Sequence, residues 1–366
     1  MDRVDPNFMR QVQTLGAFDA TACYSCGTCT ATCPLSDERH SFPRKMIRYA
    51  LLGLKDEIRR SPELWLCYYC GDCSDTCPRE ADPGALMMAL RRYAIARTSL
   101  GRIAGLFYHR TFAWILWVLL TAFAAGGVFL ARNPRPDLVR AVPLSFIKLG
   151  FLHDFGIAAG IYLALVVLFQ MIRLARCLRK EGERTALGSL ARSFVATLYR
   201  EVWLQKKQRM CEKNGRYVAH LAVFWGFMGL FLATLLVFGM DFFAFPEAFR
   251  VAAKIVGITS GVALIYGCLY FIFERLGAKD NYSKRSHPSD WAFLILLFLG
   301  GMTGFALDIF KWLNLPWPTY IAFAVHLVVI FDLLVTLPFT KFVHALYRPF
   351  AVWLATAKSR PGGTGG

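Results

Sequence analysis

From Thr111 onward the chain is a series of long apolar stretches separated by short polar connections. Six can be delimited: Thr111–Ala131, Leu149–Ile172, Tyr217–Met240, Val251–Phe273, Trp291–Phe310 and Thr319–His344. Each is about the 20 residues that a helix needs to cross a bilayer. Upstream of Arg110 the pattern is different, with mixed polarity and no long apolar run. There, residues 42–60 place Met46, Ile47, Ala50, Leu51 and Leu54 at helical spacing, which predicts a helix. Strand alternation is lacking. The pattern therefore predicts an all-α protein: a helical module over 1–108, a six-helix transmembrane bundle over 109–357 and a disordered tail over 358–366. Between the second and third stretches, residues 187–204 mix Leu190, Phe194, Val195, Leu198 and Trp203 with Arg192 and Arg200. That predicts an amphipathic helix lying in the membrane interface.

Charge sharpens this picture. The formal net charge is +17, although charged residues are only 18% of the chain. The basic residues gather in alternate connections, from Arg173 to Arg216, from Arg275 to Arg285 and in the tail at Arg348, Lys358 and Arg360. The opposite connections hold fewer: Arg132, Arg135, Arg140 and Lys148 in one, Lys311 in another. The positive-inside rule then puts both termini in the cytoplasm. It also accounts for the basicity, and no nucleic-acid motif accompanies the charge, so no nucleic-acid partner is expected.

Eight of the eleven cysteines fall in two matching runs. Cys23, Cys26, Cys29 and Cys33 precede Pro34; Cys67, Cys70, Cys73 and Cys77 precede Pro78. Both read C-x2-C-x2-C-x3-C-P, the run with which bacterial ferredoxins bind [4Fe–4S] clusters. Three closely spaced thiolates can wrap three irons of a cubane. The fourth turns away at the proline to serve the other cluster. The expected ligand sets are Cys23, Cys26, Cys29 and Cys77 for one cluster, and Cys67, Cys70, Cys73 and Cys33 for the other. Structural zinc would use paired C-x2-C motifs without the trailing cysteine and proline. Residues 1–20 carry no apolar run of the signal-peptide kind, so the thiols are expected in the reducing cytoplasm, without disulfides.

Histidines supply the second chemistry. His153, His220, His326 and His344 fall within or at the ends of apolar stretches, where ionisable residues are rare. His326 and His344 are eighteen residues apart, five whole turns if one helix carries both, which would set them on one face separated by about 27 Å of rise. Two stacked b haems, each with two axial imidazoles, would use such a pair. Running the helices through the membrane levels His220 with His344, and His153 with His326. These are the expected inner and outer haem sites, with His109 the competitor for the inner one. Arg216, Lys341 and Arg348 are candidate partners of the inner propionates. Gly156, Gly160, Gly226 and Gly229 either admit a porphyrin or bring helices together. Asp332, in mid-membrane, is a candidate proton or quinone group, and Asp308 with Lys311 forms a second candidate quinone edge.

With those residues in place, the chain resembles the C-subunit family of the quinone-interacting membrane-bound oxidoreductases of sulfate-reducing bacteria. These join a heterodisulfide-reductase-C-like ferredoxin to a nitrate-reductase-gamma-like cytochrome b. The motifs are the two cysteine runs with Trp65 and Leu66 before Cys67, then Ala219-His220-Leu221 before Phe224 and Trp225, and Leu337-Pro338 leading to His344 and Tyr347. The resemblance implies an all-helical dicluster ferredoxin followed by a cytochrome b bundle. It implies electrons taken from menaquinol through haem b to the clusters. From there they would pass to flavin and iron–sulfur subunits resembling heterodisulfide reductase A, and so to adenylylsulfate reductase. One departure stands out: gamma subunits place both partner histidines on a single early helix, whereas here they fall on two. A related alternative is the membrane subunit of a heterodisulfide-reductase-like or sulfite-reductase-linked respiratory complex. The chain has no Cys–Cys dipeptide of the disulfide-reducing subunits. A transporter would need a matched pair of interrupted helices around a midplane site, and none stands out.

Overall fold

The computed structural model describes residues 4–131, 136–179, 187–211, 214–243, 246–278 and 286–358. The predicted tail from residue 359 on, and the connector cations Arg132, Arg135, Lys180, Arg184, Lys213, Lys279, Lys284 and Arg285, lie outside them. Among the described residues every regular element is a helix, and six are long and apolar enough to cross a membrane.

The N-terminal module is a packet of short helices around one long one, Pro83–Thr98. Asp82 caps that helix by accepting from the Ala85 N–H, and Pro83 occupies its first turn. It is buried on nearly every face, even at Arg91 and Arg92, because it lies between the short helices and the bundle. The single helix predicted over 42–60 is in fact two, Arg44–Leu51 and Lys55–Arg60. The break is Gly53, at φ +69°, where a Cβ would stand 2.2 Å from the Asp5 carbonyl oxygen. Only glycine fits there.

The spans are Thr111–Ala131, Leu149–Leu178, Asn214–Phe243, Ala248–Gly277, Pro288–Trp312 and a sixth beginning at Pro316. The second, third and fourth have 30 residues each, about 45 Å of helix and more than a bilayer core requires. The excess reaches the module: Arg173, near the end of the second span, donates to the Ser99 and Arg97 carbonyls, both at 3.0 Å. These contacts capture the open C-terminal end of the Pro83–Thr98 helix. The third and fourth spans pack closely. A Cβ on Gly226 would lie 2.7 Å from the Leu264 nitrogen, and one on Gly229 would collide with Ser260. Those two glycines thus serve helix contact. At Gly156 and Gly160 an added Cβ would meet nothing within 4 Å.

One expectation fails in the sixth span. Its α-helix ends at Thr336 and gives way to a 3-10 turn over Leu337–Phe339, extended backbone at Thr340 and a second 3-10 turn over Lys341–Val343. His344 opens a separate helix, His344–Lys358. Pro338 is the cause: it has no N–H to donate, and its ring would clash with the carbonyl four residues back. His326 and His344 therefore do not share a helix, and the five-turn spacing argument does not hold. A helix is present over Leu187–Thr197 and continues as a π-helical turn, Leu198–Trp203. It packs on the final helix, where Trp353 donates to the Leu190 carbonyl.

Candidate functional site

The two cysteine runs fold alike. In each, the residue before the second cysteine has a positive φ (Ser25 at 66°, Tyr69 at 61°), as does the glycine after it (Gly27 at 97°, Gly71 at 102°). These left-handed steps curl the loop round its thiols. The Ser25 N–H donates to Cys23 Sγ at 3.3 Å, and the Tyr69 N–H to Cys67 Sγ at 3.4 Å. Donors of this kind stabilise negative charge on a cluster. Cys23, Cys26, Cys29 and Cys77 line one small cavity, which brings a thiol of the second run beside three of the first. Cys33 in turn lies within electrostatic reach of Cys67, Cys70 and Cys73. Among the described residues no three ligating side chains close tightly enough for a single ion, and a cubane calls for a wider set of thiols. Burial pushes the Cys67 thiol up to about 11, against the opposing pull of Arg91. Iron binding must displace that proton.

A larger cavity, of about 240 Å³, lies where the module meets the bundle. One wall is Cys67, Tyr68 and Arg91; the other includes His220 of the third span and His344 of the final helix. His220 Nδ1 is 2.8 Å from Gln205 Oε1, and His344 Nδ1 meets the Lys341 carbonyl. Neither oxygen has a proton to give, so each ring donates from Nδ1 and keeps its Nε2 lone pair. A metal-ligating imidazole is held in this way. Six cations line the space (Arg91, Arg92, Arg216, Arg275, Lys341 and Arg348) against two carboxylates, Glu201 and Asp290. Such an excess of positive charge, half of it buried, suits an anionic occupant. Two imidazoles, aromatic walls from Phe224, Phe227 and Phe293, and basic side chains are the donor set that a haem with its propionates requires. The residues fit that group.

The other predicted site residues are more dispersed. His326 Nδ1 lies 2.9 Å from Thr303 Oγ1, whose own proton goes to the Leu299 carbonyl at 2.6 Å, so this ring too donates from Nδ1. His153 instead sets Nε2 3.9 Å from Asp241 Oδ2 and packs its ring against Phe238 and Phe242 of the third span. The second and sixth spans pack together, yet these two rings address different neighbours. His109 does not line the large cavity; its Nδ1 is 3.4 Å from Thr14 Oγ1. Asp332 is 1% exposed, with Trp117 and Thr121 of the first span against its carboxyl. Asp308 and Lys311 are exposed near the far end of the fifth span.

Residues 22–81 match the family model for the 4Fe-4S dicluster domain. The N-terminal module is a 4Fe–4S dicluster domain. The chain is 33% identical over 133 residues to citrate utilization protein B of Escherichia coli, covering 35% of this chain and 34% of that one. It is 39% identical over 63 residues to the C subunit of the H2:CoB-CoM heterodisulfide,ferredoxin reductase of Methanothermobacter thermautotrophicus, 17% of this chain and 34% of that one. With an Archaeoglobus profundus protein of the heterodisulfide-reductase-C-like kind it shares 34% identity over 94 residues, 25% and 50% of the two chains. The chain thus spans about a third to a half of these relatives' lengths. No solved structure matches. The dicluster domain is similar to these heterodisulfide reductase C subunits, and it is joined here to six membrane-length helices.

Around the dicluster domain the structure adds residues that sequence reasoning missed. Glu201, in the π-helical turn, accepts from the Tyr68 hydroxyl at 3.0 Å and from Arg348 Nη2 at 3.2 Å. The Arg348 guanidinium also lies 3.6 Å from the Tyr68 ring centroid. Arg91 donates to the Cys67 carbonyl at 2.6 Å. An acid amid the predominantly basic residues 173–216 is a faint signal for Glu201; nothing in the sequence marks Gln205 or Arg91.

Proposed function

We propose that this chain is a membrane electron-transfer subunit, with two [4Fe–4S] clusters in the dicluster domain and haem b in the bundle. One observation carries the reading: a single cavity has Cys67 on one wall and His220 with His344 on the other. On this reading, Cys23, Cys26, Cys29 and Cys77 hold the cluster nearer the surface, and Cys67, Cys70, Cys73 and Cys33 hold the one facing the bundle. His220 and His344 ligate the inner haem, with Arg216, Lys341 and Arg348 available to its propionates. A second haem takes His326, whose ring is held in the same tautomer, together with His153. Haem supplies one-electron chemistry between a two-electron quinol and the one-electron clusters. The chain's residues position these groups, exclude water and, at Asp332, offer a buried carboxylate for the quinol proton. The whole path runs between menaquinol and cytoplasmic flavin and iron–sulfur subunits resembling heterodisulfide reductase A, which feed adenylylsulfate reductase. It lies in a bacterial inner membrane with both termini cytoplasmic.

The likeness to citrate utilization protein B favours a second reading, since that alignment is the longest of the three, at 133 residues. There the same wire would serve the utilization of a citrate-type acid. Dithionite-reduced spectra of the purified chain, with haem and iron quantification, test the shared part. Two b haems and about eight non-haem irons are expected. A spectrum without a b-type α band would remove the haem reading and leave the clusters standing.

A further inference from the structure

Gln205 has three features that are seldom combined. Its backbone sits at φ +45°, in the left-handed region where glycine or asparagine would be at ease. It directly follows Leu204, the C-cap of the π-helical turn Leu198–Trp203, a departure from α-helix that concentrates at functional sites. And its side chain is 4% exposed, lines the cavity and places Oε1 2.8 Å from His220 Nδ1. The backbone strain has its own support: the Tyr217 hydroxyl donates to the Leu204 carbonyl at 2.7 Å, and the Gln205 carbonyl accepts from the Gln208 N–H at 3.0 Å. A turn needing only a positive φ would not need a long amide. Persistent strain over-determined by its surroundings is typical of positions held for function.

We propose that Gln205 is the positioning residue of the inner haem site, fixing the tautomer and basicity of His220. The inference rests on the reading that His220 and His344 ligate haem. The Gln205 amide oxygen holds the proton on Nδ1, which keeps the Nε2 lone pair for iron and orients the ring. The acceptor's strength sets how much electron density the imidazole gives to the metal, and hence which oxidation state is favoured. At His344 the same task falls to a backbone carbonyl, which no side-chain substitution can alter. Gln205 is therefore where a side chain sets the basicity of a ligand at this site.

The test uses the full chain in detergent, with Gln205→Leu and Gln205→Glu each titrated optically against potential. Leucine removes the acceptor, so its haem midpoint should rise above wild type or its haem should be lost. Glutamate keeps an acceptor, so that variant should retain haem at a midpoint at or below wild type. In both, the cluster signals should be unchanged. A Leu variant with full haem at or below the wild-type midpoint overturns the proposal, as does a Glu variant whose midpoint rises. Loss of haem from both variants overturns it too, because a carboxylate would hold the Nδ1 proton at least as firmly. A wild-type chain that lacks the b-type band would sink the haem reading itself, a different outcome from any of these.

Discussion

Replacing Asp290 by asparagine tests how the dicluster domain is fastened to the bundle. Asp290 opens the fifth span at 6% exposure; Arg92 of the domain reaches one oxygen at 2.9 Å, and Lys341 lies 3.1 Å from the other. Arg92 is further tied to the Leu15 carbonyl at 2.7 Å. Asn keeps the size of the side chain and one acceptor but leaves two cations without their shared anion. Breaking a buried ion pair from one side costs about 3–5 kcal/mol. The low end applies here: Arg92 retains Leu15, and Lys341 is about a third exposed and can recruit water. A loss of about 3 kcal/mol is roughly a hundredfold in the docking equilibrium. For a domain of about 100 residues it lowers the melting midpoint by about 12 °C or more. The assay is thermal loss of cluster absorbance in the solubilised chain. Pairing Asp290→Asn with Arg92→Gln should cost less than the sum of the single losses, since both break one contact. A midpoint within about 4 °C of wild type for Asp290→Asn would refute the reasoning.

Two further outcomes follow from the geometry. Cys77→Ser should remove the cluster bounded by Cys23, Cys26 and Cys29 and spare the other, so non-haem iron falls from about eight to about four per chain; loss of the Cys67-side cluster instead would reverse the ligand assignment. Asp332→Asn should slow quinol oxidation in vesicles at least tenfold, by the scale of about 10²–10⁴ for a lost proton-transfer group, with haem and cluster spectra intact. An unchanged rate would remove Asp332 from the proton path.

How much of this is legible in the sequence depends on the length scale of each signal. The cysteine runs are local, and their spacing encodes the loop directly; Cys77 lines the same small cavity as Cys23, Cys26 and Cys29, as the crossed arrangement expects. The spans are legible as well, because twenty apolar residues admit few other fates. Their ends are not: the extra turns interrupt the apolar run with Arg173 and Arg176, and Arg173 meets the module's open carbonyls, a contact the sequence cannot announce. Gly53 and Pro338 are visible as breakers, but the helical periodicity on either side of each masks the break. At Gly53 the decisive neighbour, Asp5, is 48 residues away.

The sixth span shows how a residue can reach the cavity by a geometry other than the expected one. Five turns of unbroken helix would align His344 with His326, and Pro338 breaks that helix. Yet the break is what brings His344 to the cavity. Extended backbone at Thr340, whose hydroxyl accepts from the Phe342 N–H, lets the chain restart as a new helix whose first residue is His344. The Lys341 carbonyl takes both the backbone N–H and Nδ1 of His344, and the ring lines the same cavity as His220. The final helix then carries Arg348 over Tyr68, one residue from Cys67. In this chain, the proline that defeats the periodicity is also what couples the bundle's histidine to the cysteine module.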